Sequence, residues 1–331
     1  MNERIDYIDN LKGLGIVLVV FGHYIEPFRN VGFILNAVFI CIYFFHMPMF
    51  VLLSGAVAKF RLYKVVRYIW VLYISQAFYM VLRLLVGNFK FINLKSFIVS
   101  FVSYPYFQLW YLYALIFWVM SLFIVNAFKK LGGYLLIPLV FILCIIGGFI
   151  DFRFGLNRVV AFYGFFFSGY ILKDKIMFLF NKIPTKMAAV ALIGIMFFIT
   201  IISRNLNAEI LWCNKNYSNG EYFWYERCGY FIAAFMIIFL LGCVMNKPIK
   251  ILGWLGNRTM PVFIFHTVLY TIFDACGLHT ILVGFNNIIL AFLYAGAMTL
   301  INVFVFSRKH IIDALDRIWN LQNVHWRKKN V

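Results

Sequence analysis

Charge is what this chain has least of. Only 13% of its 331 residues are Asp, Glu, Lys or Arg, against 64% that are hydrophobic. A soluble domain carries about a quarter charged residues and nearer half apolar ones. At a mean hydropathy of +0.88, no water-soluble core of this length absorbs so much apolar surface, and a soluble globular fold is excluded. Acidic residues are rarer still, 12 against 30 basic ones, for a net charge of +18. In a soluble protein that excess would suggest nucleic acid. Here the basic residues sit in short loops between apolar runs, the pattern of membrane orientation, and nucleic acid is not an expected partner. The six cysteines have no metal-ligand spacing, and no metal site is expected. Cys41, Cys144 and Cys243 lie in apolar runs and read as small core hydrophobes. Cys213 and Cys228 flank one polar loop, where a disulfide and two free thiols are both open. No Ser-His-Asp arrangement, Gly-rich nucleotide loop, repeat, low-complexity segment or soluble domain is visible.

What the chain has in abundance is apolar runs. Crossing the hydrocarbon takes about 20 residues, and candidates fall near 11–29, 34–57, 65–86, 107–127, 134–150, 156–172, 187–203, 228–246, 251–273 and 281–306. The stretch 94–104 is apolar but short, and reads as an interfacial or re-entrant piece. The first run lacks a small-residue cleavage site and reads as a span rather than a leader. With the N-terminus inside, Arg4, Lys12, Lys59, Arg61, Lys64, Arg67, Lys129, Lys130, Lys173, Lys175, Lys182, Lys186, Lys247, Lys250 and Arg258 fall on the cytoplasmic side. The tail adds Arg308, Lys309, Arg317, Arg327, Lys328 and Lys329; the opposite side receives fewer, among them Arg29, Arg83, Lys90, Arg153, Arg158, Arg204 and Arg227. The fold class is therefore all-α, a polytopic membrane protein of about ten transmembrane helices with both termini cytoplasmic. Residues 1–306 form the membrane domain. Residues 307–331 form a basic tail in which Ile311, Leu315, Ile318 and Trp319 recur at helical spacing, suited to lying on anionic lipid.

The opening of the chain is its most informative stretch. Arg4-Ile5-Asp6-Tyr7-Ile8-Asp9-Asn10-Leu11-Lys12-Gly13 leads into an apolar run that still carries Gly22-His23-Tyr24-Ile25-Glu26. Ionisable groups at membrane depth are costly and mark polar interiors or working sites. On a helix, Asp9, Lys12, His23 and Glu26 share one stripe. Lys12 and His23 stand three turns apart, roughly 16 Å. An imidazole exchanges protons near neutral pH, and Glu26 at i+3 is its nearest orienting group. The pair suits general-base removal of a hydroxyl proton. The bland alternative is a histidine bonded to a neighbouring helix.

Other marks are individually weak. His46 lies in Phe45-His46-Met47-Pro48-Met49-Phe50, where Pro48 bends the helix and the histidine serves as partner for a freed carbonyl or as a site residue. Lys64 and Arg67 open the next basic span, either as snorkelling anchors or as a pair converging on phosphate. Trp110, Arg158 and His266 are polar or aromatic marks within apolar runs, and Asp151–Arg158 and Glu226–Arg227 read as packing ion pairs. The outer connection 204–227 holds Trp212, Tyr217, Tyr222, Trp224 and Tyr225. An interfacial aromatic belt leads there, with a sugar-stacking surface behind it.

In this order the pieces resemble the acyltransferase-3 family of integral membrane acyltransferases. Asp9-Asn10-Leu11-Lys12-Gly13 followed by His23 is similar to the family's Asp-x-x-Arg/Lys-Gly opening with Arg-x10-His spacing, and Phe45–Phe50 with Ser54-Gly55 to its second-span signature. Lys64-x-x-Arg67, Trp110-Tyr111-Leu112, Phe165–Gly169 and Leu252–His266 resemble later motifs. The Lys-Gly opening is similar to the fucose 4-O-acetylase-like subgroup. Lys12 and Lys64 stand where many members carry Arg, and a lysine cannot make the planar bidentate contact.

The resemblance implies an O-acetyltransferase that takes an acyl group, most often acetyl, from cytoplasmic acyl-CoA and passes it to a hydroxyl of a surface glycan or lipid-linked oligosaccharide. The bacterial cytoplasmic membrane is the expected location. On that reading His23 is the general base, with Glu26 and Asp9 orienting it. Lys12, Lys64 and Arg67 hold acetyl-CoA, the donor, and His46, Trp110, Arg158 and His266 line the acceptor site. The alternative from another class is a transporter or flippase for lipid-linked sugars, which would also carry intramembrane charges. The halves of the chain lack the internal similarity transporters commonly show.

Overall fold

The computed structural model describes residues 6–87, 93–128, 133–152, 154–219 and 222–319. Arg4, Lys90, Lys129, Lys130, Arg153 and the end of the tail, with Arg327, Lys328 and Lys329, lie outside the described residues. Among the described residues every regular element is helical.

The opening forms one unbroken helix, α1 (Asp6–Ile25), because no proline or helix-breaking pair interrupts it before Pro27. Pro27 sits in a single 3-10 turn, Glu26–Phe28, which ends the element. The chain returns as α2 (Phe33–Tyr43) and α3 (His46–Val57), separated at Phe44-Phe45. Pro48 stands in the first turn of α3, where a missing N–H costs nothing, so the break precedes the proline instead of following it. Then come α4 (Leu62–Leu85), the ten-residue α5 (Leu94–Ser103) and α6 (Trp110–Phe128). The middle of the chain holds α7 (Leu136–Ile146), the 27-residue α8 (Leu156–Lys182), α9 (Thr185–Ile202) and the single-turn α10 (Glu209–Trp212). After α11 (Trp224–Val244) the chain breaks repeatedly: α12 (Lys250–Gly256), α13 (Thr259–Phe265), α14 (Thr267–Ala275) and α15 (Leu278–Gly284). It ends in α16 (Ile288–Phe306) and α17 (Lys309–Trp319).

Among the described residues, seven stretches are long and apolar enough to cross a membrane: Tyr7–Phe28, Phe33–Val57, Leu62–Leu85, Phe107–Asn126, Thr185–Ile202, Trp224–Val244 and Ile288–Phe306. The pair Thr259–Ala275 and Leu278–Gly284, bent by 73°, makes an eighth if taken as one span. Two boundaries expected from the sequence are redrawn. The run 251–273 is three short helices, and the run 281–306 divides at 285–287 into α15 and α16. Only Asn257-Arg258, His266 and Asn286-Asn287 mark these breaks, and a window of about 20 residues averages such short polar insertions into their apolar flanks. On α9 and α16, Val190, Phe197, Leu293 and Leu300 are each about two-thirds exposed or more. Contiguous apolar faces of that kind need lipid rather than water around them.

Two crossings fix the centre, with α3 packed along α8 and α1 along α12 and α16. Both close crossings are made by glycines. A Cβ on Gly55 of α3 would collide with the Phe166 carbonyl of α8, and one on Gly169 of α8 with the Leu52 carbonyl of α3. Gly13 and Gly256 make the same reciprocal approach between α1 and α12. Within lipid no hydrophobic force drives one helix onto another, so close backbone contact through small residues supplies the packing energy. The tail helix α17 lies against α4. Trp70 donates its indole N–H to the Ile318 carbonyl at 3.1 Å, and Arg67 meets Asp316 at 3.3 Å.

Candidate active site

His23 lies near the end of α1 furthest from the N-terminus, and its side chain is 15% exposed. It opens onto a cavity of about 360 Å³ lined by Glu26, Tyr43, His46, Trp110, Arg158 and Trp212, among others. Five elements deliver these groups: the end of α1, the α2–α3 break, the start of α6, the start of α8 and the loop through α10.

The hydrogen bonds around His23 fix its tautomer. Tyr43 Oη donates to Glu26 Oε2 at 2.8 Å. A phenol has one proton to give, so towards His23 Nδ1, 3.0 Å away, Tyr43 acts as acceptor. Nδ1 then carries the ring hydrogen and Nε2 keeps a lone pair. No protein partner among the described residues meets that Nε2. Glu26 also stands 3.4 Å from Nδ1, so an imidazolium formed by proton uptake at Nε2 would face a carboxylate both directly and through the phenol. This is the base–orienter arrangement that proton-transfer catalysis needs.

Two further histidines occupy helix breaks beside it. At the α2–α3 break, His46 donates Nδ1–H to the Ile42 carbonyl at 2.9 Å. At the α13–α14 break, His266 donates Nδ1–H to the Phe263 carbonyl at 2.8 Å. Each ring caps a carbonyl of its own broken helix and is left with an unprotonated Nε2. The His266 ring stacks on His23 at 5.2 Å between centroids, and its Nε2 is buried without a partner. Phe107 presses on the other side of His23, 4.8 Å from it, from a left-handed backbone (φ 29°) that a phenylalanine adopts only under constraint.

Arg158 supplies the positive charge. Its Nε donates to the Trp212 carbonyl at 3.0 Å, and the guanidinium sits 5.1 Å over the Trp110 ring. One edge of the fork is anchored, and the remaining N–H groups can meet charge that develops in the cavity. The ion pairs suggested by the sequence are replaced by other contacts. Arg158 turns to Trp212, Glu226 accepts the Phe223 N–H to cap α11, and Arg227 donates to the Lys215 carbonyl and packs on Tyr217 and Tyr222.

Of the expected site residues, His23, Glu26, His46, Trp110 and Arg158 therefore share one cavity, with His266 stacked behind it. Asp9 does not join them. It lies about 21 Å away along α1, lining a separate cleft with Asn10, Lys250 and Trp254. Lys12, Lys64 and Arg67 do not line the His23 cavity either, and Arg67 is engaged by Asp316 of α17. Tyr43 is the residue sequence reasoning missed. It is one aromatic among many in an apolar run, and its role appears only when α2 folds back on α1. Trp212 was marked within the aromatic loop, which divides on folding. Trp212 enters the cavity and Tyr222 is buried at the Arg227 side, while Trp224 and Tyr225 stay half exposed, as a membrane belt would. Cys213 and Cys228 are both free thiols. Among the described residues no group of His, Cys, Asp and Glu is placed to hold a metal.

A histidine with an open ring nitrogen and an arginine with uncommitted N–H groups thus share one cavity of a helical membrane protein, the groups that group-transfer chemistry uses. The family model described as an acyltransferase domain, acyltransferase-3, matches residues 5–307, and the chain belongs to that family. Membership supports membrane acyltransferase activity in general terms. No curated protein and no solved structure gave a significant match.

Proposed function

We propose that the protein is a membrane O-acetyltransferase, moving acetyl from cytoplasmic acetyl-CoA to a hydroxyl of a cell-surface or lipid-linked glycan. The observation that carries this reading is the His23 Nε2 lone pair, backed by Tyr43 and Glu26 and facing Arg158 across the same cavity. The acceptor hydroxyl gives its proton to His23 Nε2 as its oxygen bonds to the thioester carbonyl carbon. Arg158 meets the charge on the carbonyl oxygen. The carbon–sulfur bond breaks, and the imidazolium returns the proton to the departing thiolate. His46, Trp110 and His266 shape the acceptor side.

The distribution of Lys and Arg supports about ten spans and cytoplasmic termini, and it puts the His23 cavity towards the outer face; the family resemblance favours a bacterial cytoplasmic membrane. Lys12, Lys64 and Arg67 then stand at the cytoplasmic end, where they hold the CoA phosphates as cations. Because none of them lines the His23 cavity, donor binding on this reading includes movement of the side chains between the two ends, with release of Arg67 from Asp316 among the changes. The Lys12-Gly13 opening favours the fucose 4-O-acetylase-like subgroup, and residues 307–331 act as a membrane-surface tail.

The test is the purified protein in proteoliposomes with radiolabelled acetyl-CoA inside and a mixed bacterial glycan fraction outside. Label reaching the glycan with wild type and lost with His23→Ala is the expected result. Equal transfer by both proteins would remove His23 as the base. No transfer by wild type, with movement of glycan across the proteoliposome membrane instead, would replace the enzyme reading by the transporter.

A further inference from the structure

A second cavity is larger than the one that holds His23. A groove of about 610 Å³ opens beside it, lined by Arg29, Asn36, Ser203, Arg204, Asn207 and Glu209 among others. Its two arginines are held alike. The Arg29 guanidinium lies 5.2 Å from the Trp212 ring and 5.8 Å from Phe39, and that of Arg204 lies 4.6 Å from Phe33. Among the described residues neither guanidinium has an ion pair or a hydrogen bond to protein. Rings position these cations, and the N–H donors at their edges are left for something from outside.

The carboxylate in the groove does not neutralise them. Glu209 gives one oxygen to Lys215 at 3.4 Å, while Oε2 is buried without any partner. A buried carboxylate oxygen without a donor is costly, and a turn of the Glu209 side chain, 21% exposed, would bring it to a ligand hydroxyl. The groove therefore offers two free guanidinium forks, a lone acceptor and neighbouring amides. That is a set for a polyhydroxylated molecule with a negative charge.

The groove also adjoins the catalytic cavity. Trp212 lines the His23 cavity while its ring carries Arg29, and Arg29 follows Glu26 within one turn, its N–H donating to the Glu26 carbonyl at 3.2 Å. We infer that this groove is the acceptor's anchoring subsite, and that it takes a glycan bearing a carboxylate or phosphate group. Arg29 and Arg204 grip the anion, Glu209 accepts a sugar hydroxyl, and a neighbouring hydroxyl reaches past Trp212 to His23. This rests on the acyltransferase reading for its direction, although the binding stands apart from the chemistry.

Calorimetry on the full chain in zwitterionic nanodiscs tests it with three probes: a tetrasaccharide containing uronic acid, a neutral tetrasaccharide of the same length, and inorganic pyrophosphate. At least one anionic probe should bind about tenfold more tightly than the neutral sugar, the worth of one charge-assisted hydrogen bond. Preference for the acidic sugar marks a carboxylate, and preference for pyrophosphate a phosphate linkage. Arg29→Gln and Arg204→Gln should each remove most of that preference, whereas Lys186→Gln, at the far end of α9, should leave it unchanged. Arg204 is exposed and makes no hydrogen bond, so its variant does not depend on refolding of the core. Equal binding of charged and neutral probes overturns the inference, as does a preference that survives the double variant. Binding displaced only by anionic phospholipid, with neither soluble anion bound, puts a lipid headgroup there and overturns it too. If the preference holds while acetyl transfer fails the His23 test, the catalytic reading falls and the subsite remains.

Discussion

The two ends of this molecule are both polar, and they are built on opposite principles. At the end where α1 finishes, polar and aromatic side chains converge from five elements, and hydrogen bonds to a tyrosine and to backbone carbonyls set the tautomers of the histidines there. At the end where α1 begins, cations are spread along exposed helix starts, and the best-placed of them, Arg67, is paired at 3.3 Å with Asp316 at the surface. The first arrangement is chemistry fixed by packing. The second is charge supplied to an interface, available to a phosphate ligand or to lipid headgroups. What the difference teaches is that a shared stripe on α1 does not make a shared site. Asp9 and His23 lie on the same helix, and the fold gives each its own surroundings.

Substitutions sharpen that contrast in decreasing order of effect. His23→Ala should lower acetyl transfer by roughly 10²–10⁴-fold, the range for a general base, with assembly unchanged by size-exclusion chromatography. A variant retaining a tenth of the activity would move the base elsewhere. Arg158→Gln comes next, with a loss of roughly 10²-fold for one oxyanion donor, read in kcat rather than in KM for the acyl donor. Tyr43→Phe deletes a single hydroxyl and should cost about tenfold, the worth of the one hydrogen bond that orients His23 through Nδ1–H. If it equals wild type across the pH range, that bond does not position the base. Gly169→Val acts on packing alone. It should lower stability by about 1–3 kcal/mol for an overpacked crossing, measured as earlier thermal unfolding in detergent. At the opposite end, Asp316→Ala removes a surface pair worth under about 1 kcal/mol. It should leave stability nearly unchanged and, by freeing Arg67, lower KM for acetyl-CoA up to about twofold. A tenfold change in kcat there would show the two ends to be more tightly coupled than their geometry indicates.

The membrane class and the helical fold were legible from the chain, since runs of about twenty apolar residues have no other stable form in lipid. Within the site, the histidines at 23, 46 and 266 and the arginine at 158 stood out because ionisable groups are rare in such runs. Tyr43 did not stand out, because a tyrosine in a run rich in Phe, Ile and Tyr carries no local signal. Its value comes from lying opposite His23 across a hairpin. Pro48 announced a bend near His46 but not its place at Phe44-Phe45, before the proline, and the break after Phe265 was silent, for no glycine pair marks it and Pro261 stands a turn earlier.

Composition and periodicity, then, determined the solvent this protein lives in, the element it is made of and a short set of residues too polar for their surroundings. Only the tertiary structure decided which of those residues meet, because hydrogen bonds act over about 3 Å while the sequence spaces their partners up to hundreds of positions apart. It set His266 against His23, sent Asp9 away from both, and gave the tyrosine of α2 its place between an imidazole and a carboxylate.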